Sequence, residues 1–129
     1  MTIYKVDVDL TENRTWKKYS GWLGCALLRV KEGGTMFDSC RVMRTKHGVH
    51  IYFAGLTAYS AQLWWINLIE CLLGSDINKQ DYFFAEGDDI LFAEKNGYKE
   101  RLDKAKTKQV NRLIAAARAW DKYERIVLK

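Results

Sequence analysis

Ile3-Tyr4-Lys5-Val6-Asp7-Val8-Asp9-Leu10 alternates apolar and charged residues at the two-residue period of a strand. Tyr4, Val6, Val8 and Leu10 share one face and Lys5, Asp7 and Asp9 the other, which predicts a strand with one buried and one polar side. Downstream, Trp16, Tyr19, Leu23, Leu27 and Val30 recur at helical spacing, predicting a helix over residues 14–31 that Gly33-Gly34 ends. Strands are expected over residues 35–44 and 49–53, joined by Lys46-His47-Gly48, with Gly48 at a position needing positive φ. Thr57 is a candidate cap for a helix to Leu73, with Leu63, Ile66, Ile69 and Leu73 inward and Gly74 as its stop. Residues 82–85 and 90–93 read as short strands on either side of Glu86-Gly87-Asp88-Asp89. Beyond Asn96-Gly97, the line Tyr98, Leu102, Ala105, Leu113, Ala117 and Trp120 predicts a long helix from residue 98 to about residue 125.

The resulting order, β-α-β-β-α-β plus a C-terminal helix, predicts an α+β fold. It is that of an RRM-like or ferredoxin-like antiparallel sheet, with two helices on one face and a long basic C-terminal helix. At 129 residues a single domain is expected, its core in residues 1–95 and the basic helix in residues 96–129. A chain that is 48% hydrophobic is too apolar for disorder, and this one is too short for a complete polymerase hand. The most apolar stretch, Leu63 to Leu73, holds Asn67 and Glu70 and is about half a bilayer span, so no membrane association is expected. Met1 to Lys5 leads into no apolar h-region, so no secretory signal is expected either. Cys25, Cys40 and Cys71 are odd in number and far apart, which fits reduced thiols in a cytoplasmic protein better than a disulfide framework or a zinc site.

Charge is unevenly distributed. Residues 98–129 carry ten Lys/Arg against four acids, whereas the other 97 residues carry eleven against twelve. A basic C-terminal third beside a near-neutral body points to a polyanionic partner, because clustered cations gain by releasing the counterions of nucleic acid. Lys104, Lys108, Arg112 and Arg118 are the candidate nucleic-acid contacts; the plainer alternative is a solvated helix face.

Two motifs could carry chemistry. Asp7 and Asp9 sit two residues apart on the polar face of the first strand, where like charges need a cation between them. Mg²⁺ suits such a place, since it uses one or two carboxylates plus substrate phosphates; an ordinary solvent-facing pair is the alternative. Thr45-Lys46-His47-Gly48-Val49-His50 offers a hydroxyl, an ammonium, a glycine that admits backbone N–H groups and a strand-borne imidazole, a set suited to phosphate. In a βαββαβ sheet the first and third strands are neighbours, which would bring His50 and the two aspartates to one face.

These two motifs resemble the archaeo-eukaryotic primase (PrimPol) superfamily, across residues 3–93. The resemblance implies that Asp7 and Asp9 are catalytic ligands of Mg²⁺ or Mn²⁺ and that His50 is a catalytic contact to the phosphates of an incoming nucleoside triphosphate. Thr45 and Lys46 would help to bind the nucleotide, Thr45 standing where the family has serine. A third metal-binding acid is implied among Asp76, Asp81, Glu86, Asp88 and Asp89, with Asp81 the first choice. The expected function is then metal-dependent, primase-like nucleotidyl transfer on nucleic acid. The rival expectation is a non-catalytic phage or mobile-element accessory protein that binds nucleic acid, or a host or replication protein, through the basic helix and whichever of Trp64 and Trp65 faces outward. Gly87-Asp88-Asp89 is similar to a polymerase-palm motif but reads first as a turn. Tyr52 is a candidate base-stacking residue.

Overall fold

The computed structural model describes residues 2–57 and 62–127, with the side chains of residues 2–55 and 62–120. In chain order the elements are β1 (Thr2–Asp9), α1 (Trp16–Glu32), β2 (Thr35–Arg44), β3 (Gly48–Thr57), α2 (Leu63–Leu72), α3 (Ile77–Glu86), β4 (Glu94–Lys95), β5 (Tyr98–Lys99), β6 (Arg101–Leu102) and α4 (Lys104–Val127). The fold is α+β, as expected. β1, β3, β2 and β6 form an antiparallel sheet in that order, and β4 and β5 form a separate hairpin.

The first strand follows its alternation. Tyr4, Val6 and Val8 are fully buried and stand on one sheet face with Val49, Ile51 and Phe53 of β3 and Val42 of β2. Against them lie Trp16, Tyr19, Leu23, Leu27 and Val30 of α1, Ile69 of α2 and Val110 and Ile114 of α4. Thr15 caps α1 by accepting from the Lys18 N–H, and Gly33 closes it by donating to the Arg29 carbonyl. Gly48 is required for a different reason than turn geometry. It lacks positive φ, but a Cβ there would fall 2.0 Å from the Val8 carbonyl oxygen, so the glycine permits β1 and β3 to close together.

The second half of the chain departs from the expected order. Residues 82–85 are not a strand; they belong to α3. Asp76 starts that helix by accepting from the Asn78 and Lys79 N–H groups, and Gly87 ends it with φ 79°. Residues 90–93 form an irregular strap, not a strand. Thr57 is the last residue of β3, not the cap of the next helix; α2 starts at Leu63 after Gln62, and residues 58–61 of the expected helix lie outside the described residues. The C-terminal helix starts at Lys104, not Tyr98, because Asn96 and Gly97 (φ 53° and 77°) make the two-residue turn of the β4–β5 hairpin. Val110 and Ile114 are its buried residues and Leu113 of the expected line packs against the core beside them, while Ala105 and Trp120 face solvent.

A ferredoxin-like sheet would place its last strand beside β1. Here, among the described residues, no strand covers that edge; the α2–α3 corner does. Lys5 N–H donates to Glu70 Oε2 (2.8 Å), and Lys79 Nζ donates to the Lys5 carbonyl. Asp7 N–H donates to Ser75 Oγ (3.1 Å), and Asp76 N–H donates to the Asp7 carbonyl (2.7 Å). The far edge is closed in the same way, with only two residues of β6 to help. Thr107 Oγ1 accepts from Val42 N–H (3.0 Å), while Asn111 accepts from Cys40 N–H (2.9 Å) and donates to the Cys40 carbonyl (3.2 Å). Two residues along a strand advance about 6.7 Å and four along a helix about 6 Å, so one α4 face stays in step with the β2 edge.

These bonds make two predictions. Asn111→Ala leaves both backbone groups of Cys40 without their side-chain partner and should cost about 1–3 kcal/mol in urea denaturation. Arg112→Ala, exposed one position further on, should stay within about 0.5 kcal/mol of the parent. Glu70 is fully buried and shares one ammonium, that of Lys79, with Asp89 (Lys79 Nζ–Glu70 Oε1 2.9 Å). Burial first, then a hydrogen bond with the Asp89 carboxyl, push the Glu70 carboxyl up to about 8 against the pull of Lys79. A carboxyl raised on folding contributes stability that is complete below its ordinary value and lost as pH rises through its folded value. The melting-temperature advantage of the parent over Glu70→Gln should therefore shrink between pH 5 and pH 9.

Candidate functional site

The polar face of the sheet is where the charged residues of the first strand emerge. Asp7 lies directly opposite His50 in the β1–β3 register, and residues opposite each other in an antiparallel pair project to the same side. His50 Nε2 is 3.4 Å from Asp7 Oδ1. On its other side, Nδ1 is 2.8 Å from Glu100 Oε2. Glu100 also accepts from the Tyr52 hydroxyl (2.9 and 3.1 Å), and its N–H donates to the Ala93 carbonyl (2.6 Å). The imidazole is thus clamped between two carboxylates, with only a tenth of its side chain exposed.

Burial lowers the proton affinity of His50, but the hydrogen bonds and charges of Asp7 and Glu100 outweigh it and leave the imidazole above its ordinary value. Asp9 is shifted upward too, by burial and then by the neighbouring carboxylates of Asp7 and Asp76, with Arg14 opposing them. The Tyr52 hydroxyl is raised by burial and by Glu100, while the Arg41 guanidinium, 5.2 Å over its ring, opposes the rise.

Asp7, Asp9 and His50 open into one cavity of about 530 Å³. Thr45, Lys46 and His47 from the β2–β3 turn line it, as do Lys79 and Tyr82 of α3, the 90–93 strap and Lys95, Asn96, Tyr98 and Glu100 of the hairpin. The lining combines charged side chains with aromatic and aliphatic ones. The strap is tied down at Asp89, whose carbonyl accepts from Lys5 Nζ (2.8 Å) and whose carboxylate accepts from Lys79.

Of the expected site residues, the structure brings Asp7, Asp9, Thr45, Lys46 and His50 together. It does not bring Asp81, which is exposed on α3 and absent from the cavity lining; the acid beside Asp9 is Asp76. The cause is the helical state of 77–86, which turns Asp81 outward while its cap residue Asp76 faces β1. Tyr52 faces Glu100 and Arg41 and so lies on the same sheet face as His50. Lys104, Lys108 and Arg112 stand exposed on successive turns of α4, whereas Arg118 reaches Asp38 (3.4 Å). Trp64 is half exposed and Trp65 packs against the core. Glu100 carries no signal in the sequence, because the apolar line through Tyr98 and Leu102 reads as helix where the chain forms β5 and β6.

Among the described residues, no group of three or more His, Cys, Asp or Glu side chains is arranged to hold a metal ion, and no helix is long and apolar enough to cross a membrane. No family model, curated protein or solved structure matches the chain.

The clamp around His50 has a measurable consequence. Glu100→Gln removes one of its two anionic neighbours, so the His50 ring resonances should titrate at lower pH than in the parent when followed by NMR. The pairing stabilises the fold fully below the ordinary histidine value and fades as pH rises past the raised one. An unmoved titration in Glu100→Gln would leave Asp7 as the partner that matters.

Proposed function

We propose that the cavity binds a nucleoside triphosphate with Mg²⁺ or Mn²⁺, and that the chain is a primase-like nucleotidyl-transfer module acting on nucleic acid. The observation that carries this reading is the cross-strand placement of Asp7 against His50, with Asp9 in the same cavity. The donor set fits the ion. Asp7 and Asp9, with Asp76 beside them, offer hard oxygen donors; burial and then this crowding hold the Asp9 carboxyl up, and two carboxylates plus phosphates would satisfy Mg²⁺. When bound, the ion would neutralise phosphate charge and activate a hydroxyl. Lys46 and His50 line the same space, where the ammonium and the imidazole Nε2 can meet phosphate oxygens, and Glu100 at Nδ1 fixes the imidazole in place. Tyr82, Phe92 and Tyr98 line the cavity as flat surfaces for a base. Its volume falls in the range of small-ligand sites.

Isothermal calorimetry tests this reading. The parent should bind a nucleoside triphosphate in the presence of Mn²⁺, and the Asp7→Ala/Asp9→Ala variant should bind at least about tenfold more weakly, roughly the worth of one charge-assisted contact. Absence of binding by the folded parent, or equal binding by the variant, would overturn it. The exposed row Lys104, Lys108 and Arg112 favours a second reading, a non-catalytic accessory protein that binds nucleic acid or a host or replication protein. Under that reading the cavity takes no nucleotide and the α4 cations alone govern association.

A further inference from the structure

α2 is inverted for a surface helix, which ordinarily turns its polar side to water. Its one charged residue, Glu70, is fully buried among Lys5, Lys79 and Gln80, and Asn67 accepts from the Gln80 amide (2.6 Å). The positions that α2 does expose, Trp64, Leu68, Cys71 and Leu72, are all apolar. They recur at the three- and four-residue spacing of a single helix face, and 52, 43 and 39% of Trp64, Leu68 and Leu72 lie open to solvent.

The neighbouring helices extend this face. A Cβ on Gly74 would lie 3.2 Å from the Trp22 ring, so the half-exposed Trp22 of α1 stands at the C-terminal end of the stripe. On the other flank, the exposed Ile77 and Phe84 share the side of α3 that carries Gln80, the residue bonded to α2. Together these side chains leave on the order of 600 Å² of apolar surface open, at the top of the range for a monomer and near the roughly 800 Å² per partner of a standard interface. The borders differ in sign. Lys18 and Arg29 lie on the Trp22 side of α1, and Asp81 lies between Ile77 and Phe84 on α3, all three exposed. The cationic helix α4 packs on the opposite flank of α1, where a Cβ on Gly24 would lie 3.9 Å from Leu113.

We propose that this face binds its counterpart on a second copy of the chain, forming a two-fold dimer. A two-fold contact sets a patch against itself, so a charge within it would meet its like; the exposed stripe of α2 has none. With the axis running along α2, the basic border of one copy lies over the acidic border of the other. Because α2 and α4 flank opposite sides of α1, the two cationic helices stay apart, which limits repulsion between chains of net charge +5. No residue of the cavity lining takes part, so the dimer stands independently of the nucleotide reading.

Sedimentation velocity on the full chain tests the dimer. The parent should run at twice the mass of one chain at about 100 µM and dissociate on dilution. Leu68→Glu should weaken association at least about a hundredfold, because symmetry buries the new carboxylate twice. Leu28→Glu is the control: Leu28 is similarly exposed (40%) but stands one turn past Gly24 on the α4 side of α1, so its dimer should persist. Both variants should keep the circular dichroism of the parent. A readout that leaves α2 intact uses Cys25→Ser, in which Cys71 is the one exposed thiol and Cys40 is buried. Maleimide labelling of Cys71 should slow as this chain is concentrated. A parent that stays monomeric at about 100 µM overturns the proposal, whatever else the face then binds. So does a dimer untouched by Leu68→Glu, a dimer lost in Leu28→Glu, or labelling indifferent to concentration.

Discussion

The hydrogen bonds that close the two edges of the sheet are the constraint on which the rest depends. Three long strands present two rows of unpaired backbone groups, and among the described residues the backbone that meets them is only the two residues of β6, Asp103 beside them and Asp76 on the other edge. Glu70, Ser75, Asp76 and Lys79 finish one edge, and Thr107 and Asn111 finish the other. This fixes where α2, α3 and α4 lie. It also explains why, among the described residues, the β-α-β-β opening adds no strand beside β1: the Lys5 and Asp7 backbone groups there are already engaged.

The same constraint builds the cavity. Because Lys79 must reach the Lys5 carbonyl, α3 runs past the polar side of β1, and Tyr82 follows Lys79 by three residues onto the cavity wall. Lys79 and Lys5 then hold Asp89, and with it the strap that spans from α3 to the hairpin. At the strap's far end, Glu100 ties the hairpin to His50 and Tyr52 of the central strand. The Asp7–His50–Glu100 row thus joins edge strand, central strand and hairpin in one line of charge. Each carboxylate stabilises the proton on the ring between them, and the ring separates two groups that would otherwise repel.

The first half of the fold was legible because periodicity and burial agree there. Tyr4, Val6 and Val8 alternate as a half-buried strand must, and the helical line Trp16, Tyr19, Leu23, Leu27 and Val30 of α1 is buried. The Asp7–His50 meeting followed from strand adjacency and needed no side-chain detail. The second half misled for local reasons. Tyr82, Phe83 and Phe84 look like strand residues, but only Phe83 is buried; Asp76 as a cap and Gly87 as a stop were the better signals. Asn96-Gly97 is the strongest short hairpin signal in the chain, and it lost to the apolar line that began at Tyr98. Glu100 could not be found by either route, since its role exists only once the hairpin returns over β3.

A sheet margin finished by side chains behaves differently from one finished by another strand. Local opening of the α2–α3 corner would bare the Lys5 and Asp7 backbone of β1 without disturbing the core behind it. An unsealed strand of this kind is a template for strand exchange and aggregation. The helical corner around Lys79 therefore shields one of the two margins through which another chain could pair, and its charged cluster bears on association as well as on shape.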